Sequence, residues 1–369
     1  MKVLILPNAF KGSLTAPAAG KIIKKHAPKN ARVKVIADGG DGIIDAFLSN
    51  NKNLKILKFK VSDAYGKKHF APCVLLNKKT ALIETAKICG LGGIAKKDLR
   101  VLDSTSYGVG EMIMQAAKKG VKNFYVGLGG VACNDGGAGM ARAMGVNFFN
   151  SKGIKIPDTT KGLVSLHSFD TEDLKVKGLQ FFALTDVVNP LLGPKGSAAV
   201  YGPQKSKKLS EVAVIEKALI TYNNVLTKQF KKDISTIPGT GAAGAIAAGM
   251  LAFLNARFIN GAEFIFNKFK IEDLIKKADL VITTEGKLDE QTFMGKAPFH
   301  AVRLAGKYNK PLAFICGKNE IKNYKNKSIT AVFELCALCK NEEDSLKKAA
   351  KLLNKTAAVL FNSRPRPKH

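Results

Sequence analysis

Tryptophan is absent from the 369 residues, and acidic residues are scarce: 29 Asp and Glu stand against 59 Lys and Arg, a formal charge of +30. So basic a balance raises the question of nucleic acid. The lysines, however, are spread along the chain, with only short clusters such as Lys205–Lys207–Lys208 and Lys231–Lys232. No aromatic residues interleave them, so the pattern is that of a lysine-rich solvated surface and no nucleic-acid partner is expected. The five histidines (His26, His69, His167, His300, His369) are scattered, which argues against histidine-centred nucleophilic chemistry. The six cysteines form no disulfide framework, and the C-x-x-C of Cys336 and Cys339 lacks a second pair or a nearby histidine to complete a zinc set. A reducing cytoplasmic setting is expected. The longest apolar stretch, Ala242 to Leu254, falls short of a bilayer span, and MKVLIL is expected to enter a strand rather than act as a leader, so no membrane partner is expected.

Glycine, by contrast, is plentiful, with 34 residues in a chain long enough for two or three domains. The organising stretch is Phe124 to Met140, FYVGLGGVACNDGGAGM. It reads as a buried strand end, then Gly129 and Gly130, whose backbone can turn or be closely approached. Asn134 and Asp135 follow at an expected helix N-terminus, with Gly136 and Gly137. Free N–H groups there would bind an anion. The chemical reading is a phosphate or carboxylate cradle with an acid beside it; the plain alternative is an ordinary strand–turn–helix corner.

Taken in order, the chain repeats that arrangement. Val3 to Leu6 reads as a buried parallel strand. Lys11, Gly12 and Ser13 lie in the loop after it, where open α/β sheets bind ligands, and Ser13 or Thr15 can cap a helix beginning near Pro17. Val33 to Ala37 is a second strand, ending in Asp38, two glycines and Asp41. Residues 57–85 switch to short β runs with turn signals, an antiparallel meander that places a domain boundary near residue 60. Ser104 or Ser106 can cap the next helix. Leu179 to Leu184 is a strand ending at Asp186 and Asn189. PGTGAAGAIAAG is a glycine-rich helix entry that is not a Walker A motif, since no G-K-[ST] closes it; it serves either close helix packing or a nucleotide contact. Ala278 to Thr283 is a strand followed by Glu285, Asp289 and Gln291, then Thr292, Gly295 and Lys296. Two more strands, Pro311 to Cys316 and Ile329 to Leu335, and a helix over Ser345 to Leu360 complete an α/β pattern. The tail Arg364 to Lys368 reads as a disordered end.

Four strand ends thus join carboxylates to glycines: Asp38, Asp135, Asp186, and Glu285 with Asp289. Clustered negative charge is costly unless cations compensate it. Magnesium with a polyphosphate would do so, and phosphoryl transfer asks for little beyond backbone N–H groups, a lysine, Mg²⁺ and a positioned base. The residues therefore favour a kinase over a dehydrogenase.

NAFKGSLTA, ADGGDG, GLGGVACNDGGAGM, TDVVNPLLG with YGPQK, PGTGAAG and TEGKLDEQT followed by GK-x-P together resemble the bacterial glycerate 2-kinases (type 1 glycerate kinases), in the family's order over nearly the whole chain. The resemblance implies ATP-dependent phosphorylation of D-glycerate to 2-phosphoglycerate and ADP, with Mg²⁺. It also implies a discontinuous Rossmann-like parallel-sheet domain (1–60 and 270–369), a second α/β domain inserted in it (61–269) and an active site in the cleft between them. Lys11 and Ser13 would bind substrate carboxylate or phosphate. Gly129 to Gly137, including Gly130, Asn134, Asp135 and Gly136, would cradle an anionic group. Asp186, with Asn189 beside it, is the candidate general base or Mg²⁺ ligand. Asp38 is a second metal candidate, and Glu285 and Asp289 would hold Mg²⁺ or orient the glycerate hydroxyls. The chain departs from the family's usual pattern at Asn8 and Ala9, where Asp and Ser are usual, at Asp41 for Glu, and at Thr284, where glycine is common. The alternatives are a kinase of another small hydroxy acid and a nucleotide-binding α/β oxidoreductase, although G-x-G-x-x-G spacing is missing near the first strand. A monomer or homodimer is expected.

Overall fold

A computed structural model describes residues 1–293, 295–321 and 328–362. The basic tail Arg364 to Lys368 lies outside the described residues. The chain divides into two compact units: Met1–Asp38, Gly42–Asn53 and Gly261–His369 form one, and Gly39–Asp41 with Leu54–Asn260 form the other.

The first unit is built on a five-stranded sheet in the order Ile329–Glu334, Leu312–Asn319, Leu280–Leu288, Val3–Leu6, Arg32–Val33. Every pair is parallel. Val3–Leu6 is buried at all four positions, which is why it reads as an unbroken apolar run rather than an alternating one. Its register sets Val3 opposite Leu280 and Leu6 opposite Thr283. Because the strands are parallel, their carboxyl ends share one edge, and the loops after Leu6, Val33 and Leu288 gather there. The strand expected over Val33 to Ala37 is shorter, Arg32–Val33. Beyond it Lys34 and Ile36 still donate their N–H groups to Ile5 and Pro7. Helix Ala16–His26 starts on Thr15, whose hydroxyl accepts from the Ala18 N–H, so Thr15 rather than Ser13 is the cap. Helix Glu342–Asn362 covers this core through Leu352, Leu353, Ala357 and Leu360.

The second unit has a six-stranded sheet ordered Arg257–Ile259, Gln180–Leu184, Asn123–Gly127, Thr80–Glu84, Lys68–Asn77, Lys55–Ser62. The first four strands pair in parallel and the last two antiparallel, so the meander expected over 57–85 is present and feeds a parallel sheet. Aromatic pairs fix the central register: Phe124 stacks on Phe181 with centroids 5.4 Å apart, and Tyr125 on Phe182 at 4.6 Å. Helix Ser210–Phe230 buries Ile215, Leu219, Tyr222 and Leu226 in this core. The mixed α/β class with parallel-dominated sheets agrees with the expectation from sequence. Among the described residues no helix is long and apolar enough to cross a membrane.

Candidate active site

In the first unit, strand Leu280–Leu288 runs on past the expected end at Thr283, so Glu285 lies within it, opposite Cys316. Glu285 is only 6% exposed. Its Oε1 is 3.6 Å from Lys296 Nζ, while its Oε2 is buried with no hydrogen-bond partner. Burial pushes this carboxyl up to about 7, against the pull of Lys296 and a Thr292 hydrogen bond and with added push from Asp38 and Asp289. A buried oxygen left without a donor costs roughly 1–3 kcal/mol, so it marks a place where something else is meant to bind.

Lys296 is the N-cap residue of helix Ala297–Lys307, with Pro298 in its first turn. Asp38 accepts the Ala297 N–H at 2.8 Å and so caps the same helix. Burial raises the Asp38 carboxyl, while the Ala297 N–H, Lys296, His300 and Lys11 hold it down, in that order. Lys11 is exposed on the turn Phe10–Leu14, closed by backbone bonds to Phe10 O and by the Ser13 hydroxyl, which donates to the same carbonyl at 3.2 Å. Two glycines seat that turn. A Cβ on Gly286 would stand 2.9 Å from the Lys11 nitrogen, and one on Gly317 would stand 2.4 Å from Gly286 O. Asp289 is committed locally: its Oδ1 accepts the Thr292 N–H at 3.1 Å and opens the short turn that follows.

Two departures from the family pattern meet here. The buried Asn8 donates its N–H to Thr284 Oγ1 at 3.0 Å, and that hydroxyl donates to Asn8 O at 2.6 Å. Asn8 Oδ1 accepts the Ala9 N–H. Thr284 thus ties the start of the lysine loop to the strand bearing Glu285.

In the second unit the glycine stretch is put to a different use. Asp135 is fully buried, and its Oδ2 accepts from the Ser106 N–H at 2.6 Å, the Ser106 hydroxyl at 2.7 Å and the Gly139 N–H at 3.1 Å. Its Oδ1 accepts the Gly137 N–H at 3.2 Å. Of the N–H groups expected to cradle an anion, that of Gly137 goes to the chain's own carboxylate, that of Gly136 to Gly244 O and that of Gly129 to Thr85 Oγ1. Ser106 serves Asp135 instead of capping helix Tyr107–Lys118, and Ser104 bonds to Val101 O. What comes close to Gly129 is the chain itself: a Cβ on Gly40 would stand 2.8 Å from Gly129 Cα, and one on Gly39 would strike Leu184 and Thr185 main chain at the same distance. Gly130 keeps a φ of 62°. Tyr222 fills the space beside Gly136, where a Cβ would stand 2.7 Å from its ring. The glycine-rich helix entry is also a packing device, since a Cβ on Gly244 would stand 1.9 Å from Cys133 O and one on Gly241 would stand 2.3 Å from Pro190 O.

Asn134 is buried and accepts from Lys205 Nζ at 2.6 Å; the same ammonium donates to Cys133 O at 2.8 Å. Lys205, 3% exposed, is thus not part of a solvated cluster as its neighbours suggested. Burial lowers its pKa to about 8, with Cys133, Cys89 and Asp135 opposing the fall. Asn189 is occupied as well, its Nδ2 donating to Lys195 O and its Oδ1 accepting from Tyr201. Asp186 accepts the Gly39 N–H.

Neither metal candidate belongs to a closed set of protein ligands among the described residues. Asp38 caps a helix and faces Lys296, His300 and Lys11, a surround that already supplies positive charge. Asp186 spends one oxygen on Gly39. Among the described residues no group of three or more His, Cys, Asp or Glu could hold a metal ion.

Lys11, Asp38 and Glu285 lie in the first unit at the carboxyl edge of its sheet. Sequence reasoning passed over Lys205 and gave Lys296 no role. The G-K of TEGK, CGK and MGK was the available signal for the glycine seat and its lysines.

Comparison with known proteins agrees with this architecture. The model of the "Glycerate kinase family" matches residues 3–363. A glycerate kinase from Halalkalibacterium halodurans is 33% identical over 371 residues, covering 96% of each chain. The glycerate 2-kinase of Escherichia coli is 33% identical over 344 residues, covering 91% of this chain and 90% of its own. A crystal structure named for glycerate kinase 2 of Salmonella typhimurium LT2 superposes with a TM-score of 0.77 at 31% identity over 98% of both chains. The chain belongs to the glycerate kinase family.

Proposed function

We propose that this kinase transfers the γ-phosphoryl group of ATP to the 2-hydroxyl of D-glycerate, giving 2-phosphoglycerate and ADP. The observation that carries the reading is the unpartnered, buried Glu285 Oε2 at the carboxyl edge of a parallel sheet, with Lys296 and Lys11 in the same unit. A small hydroxy acid brings a hydroxyl for the carboxyl and a carboxylate for a lysine; ATP brings phosphates that need cations. Lys11, exposed on its glycine-seated turn, is assigned to an anionic group of either substrate, with Ser13 shaping that turn. Glu285 meets the acceptor hydroxyl, and Asp289 sets the turn beyond it. Asp135, Asn134 and Asn189 keep the second unit's loops in shape. The 2-hydroxyl as acceptor follows the relative named glycerate 2-kinase.

The test is ADP release from ATP with D-glycerate in magnesium-containing buffer, with the product identified by NMR. 2-Phosphoglycerate is the expected product. Phosphorylation at the 3-hydroxyl would overturn the regiochemistry, and turnover only with another hydroxy acid would overturn the substrate.

A further inference from the structure

Among the acids described at the carboxyl edge of the first unit's sheet, Glu285 has a buried oxygen with no donor. Asp38 already gives one oxygen to the Ala297 N–H, and although burial raises its pKa, Lys296 and Lys11 lie beside it and pull the other way. Asp289 is engaged by Thr292. In the second unit, Asp186, the base expected from sequence, accepts the Gly39 N–H. Glu285 differs: Oε2 has no donor, and the ion pair on Oε1 is long, at 3.6 Å.

The helix beside it adds a second constraint. The Ala297 N–H is taken by Asp38, Pro298 has none, and the N–H groups of Phe299 and His300 bond to Lys296 O. The first-turn N–H groups from Ala297 to His300 are thus all engaged within the chain. Negative charge arriving here must be met by side chains, and Lys296 is the cation nearest Glu285.

We propose that Glu285 and Lys296 work as a dyad in which Glu285 Oε2 accepts the proton of the reacting hydroxyl while the Lys296 ammonium passes from Glu285 to the transferred phosphoryl group. The inference rests on the kinase reading above. In the step, the substrate O–H bond breaks and its proton goes to Oε2. The oxygen bonds to the γ-phosphorus, and the bond from that phosphorus to the bridging oxygen breaks, its electron pair leaving on ADP. Glu285 becomes neutral, so Lys296 loses its anionic partner as the phosphoryl group reaches it. Glu285 then returns the proton to water.

The groups facing Glu285 agree with this use. Lys296 lowers its pKa and Asp38 and Asp289 raise it; Thr292 lowers it by a hydrogen bond. Cys316, on the neighbouring strand, is pushed up to about 12, chiefly by burial, and so stays neutral there. Lys11 and His300 act through Asp38. With no donor on Oε2 and only a long ion pair on Oε1, this carboxylate is open to take a proton and to pass it on afterwards.

The experiment is steady-state kinetics of wild type, Glu285→Gln, Lys296→Met and Lys296→Arg across pH 5.5–9 (roughly one and a half to two units either side of the expected value), on whichever hydroxy acid the wild type phosphorylates. That choice separates the dyad from the identity of the substrate, which wild-type turnover decides alone. Glu285→Gln is expected to lower kcat about 100-fold or more, with ATP binding by thermal shift unchanged. The acid limb of wild-type kcat/KM is expected near the Glu285 value. Lys296→Met should move that limb to higher pH and raise the KM for ATP, and Lys296→Arg should restore both. Wild-type kcat in Glu285→Gln overturns the proposal, as does loss of ATP binding in step with turnover. Should that variant fail to fold, the limb decides: no acid limb in wild type, or one that Lys296→Met leaves in place, overturns the dyad.

Discussion

Asp135 and Glu285 invite comparison because sequence presents them alike: each is a carboxylate beside glycines at the end of a buried parallel strand. Both are buried, and burial raises the pKa of each. They differ in what surrounds the oxygens. Asp135 receives four donors from Ser106, Gly137 and Gly139, which joins two helix starts in the second unit. Glu285 receives a distant ammonium on one oxygen and no hydrogen bond on the other. Burial alone therefore does not tell the two apart; the unanswered oxygen of Glu285, at the carboxyl edge of a parallel sheet beside Lys296, does.

The comparison breaks most visibly if Asp135 is neutralised. Asp135→Asn leaves donors facing an amide N–H₂, and hydrogen bonds to a charged group contribute about 1.5–3 kcal/mol. A loss of about 3 kcal/mol is expected, seen as a fall in Tm of about 5–10 °C, with kcat of the remaining folded enzyme close to wild type. An unchanged Tm would mean that Asp135 is not the structural member of the pair.

A smaller effect is expected at Lys205. Lys205→Met strips the partners from Asn134 Oδ1 and Cys133 O but also removes a buried charge. The net loss should be about 1–2 kcal/mol at neutral pH. Its pH dependence has a definite sign. The folded-state pKa is lowered to about 8 from 10.5, so between those values the unfolded chain holds more protons and this group's contribution to stability rises with pH. Thermal melts should show that rise in wild type and lose it in Lys205→Met.

The smallest change is expected at Asn8→Asp. The side-chain oxygen that bonds the Ala9 N–H is present in both residues, and the backbone is fixed by Thr284. Stability should move by about 0.5 kcal/mol or less, and turnover with D-glycerate should stay near wild type in steady-state assays. A large gain would make Asn8 a determinant of substrate choice.

Much of this fold was legible because apolar runs such as Val3–Leu6 and Gln180–Leu184 are buried on both faces and say so in sequence. The strand around Glu285 was misjudged in length because Thr284, Glu285 and Lys287 are polar, and strand pairing with Leu312–Asn319 carries them on. The glycines were legible as places of close approach, but not what approaches: for Gly129 it is Gly40, and for Gly286 the Lys11 turn. Lys205 was read as surface because neighbouring lysines hid it; only the fold reveals that Cys133 O and Asn134 receive it. The acids beside glycines stand out in sequence, but Glu84, fully buried at the end of strand Thr80–Glu84, does not, nor does a sequence show which acids will be answered by donors such as Ser106 or Ala297, distant in the chain.

The most direct test pairs Glu285→Gln with Asp135→Asn, measuring Tm and kcat for both at pH 8. Glu285 is raised from 4.5 to about 7, so its ionisation costs folding stability above that window and nothing below it. Glu285→Gln should therefore lose kcat while keeping or gaining Tm, most clearly at pH 8 and least near pH 4, about where its unfolded value lies. Asp135→Asn should lose Tm while the folded fraction keeps its kcat. The reverse assignment, with Glu285→Gln unstable but active and Asp135→Asn stable but inactive, would contradict the account.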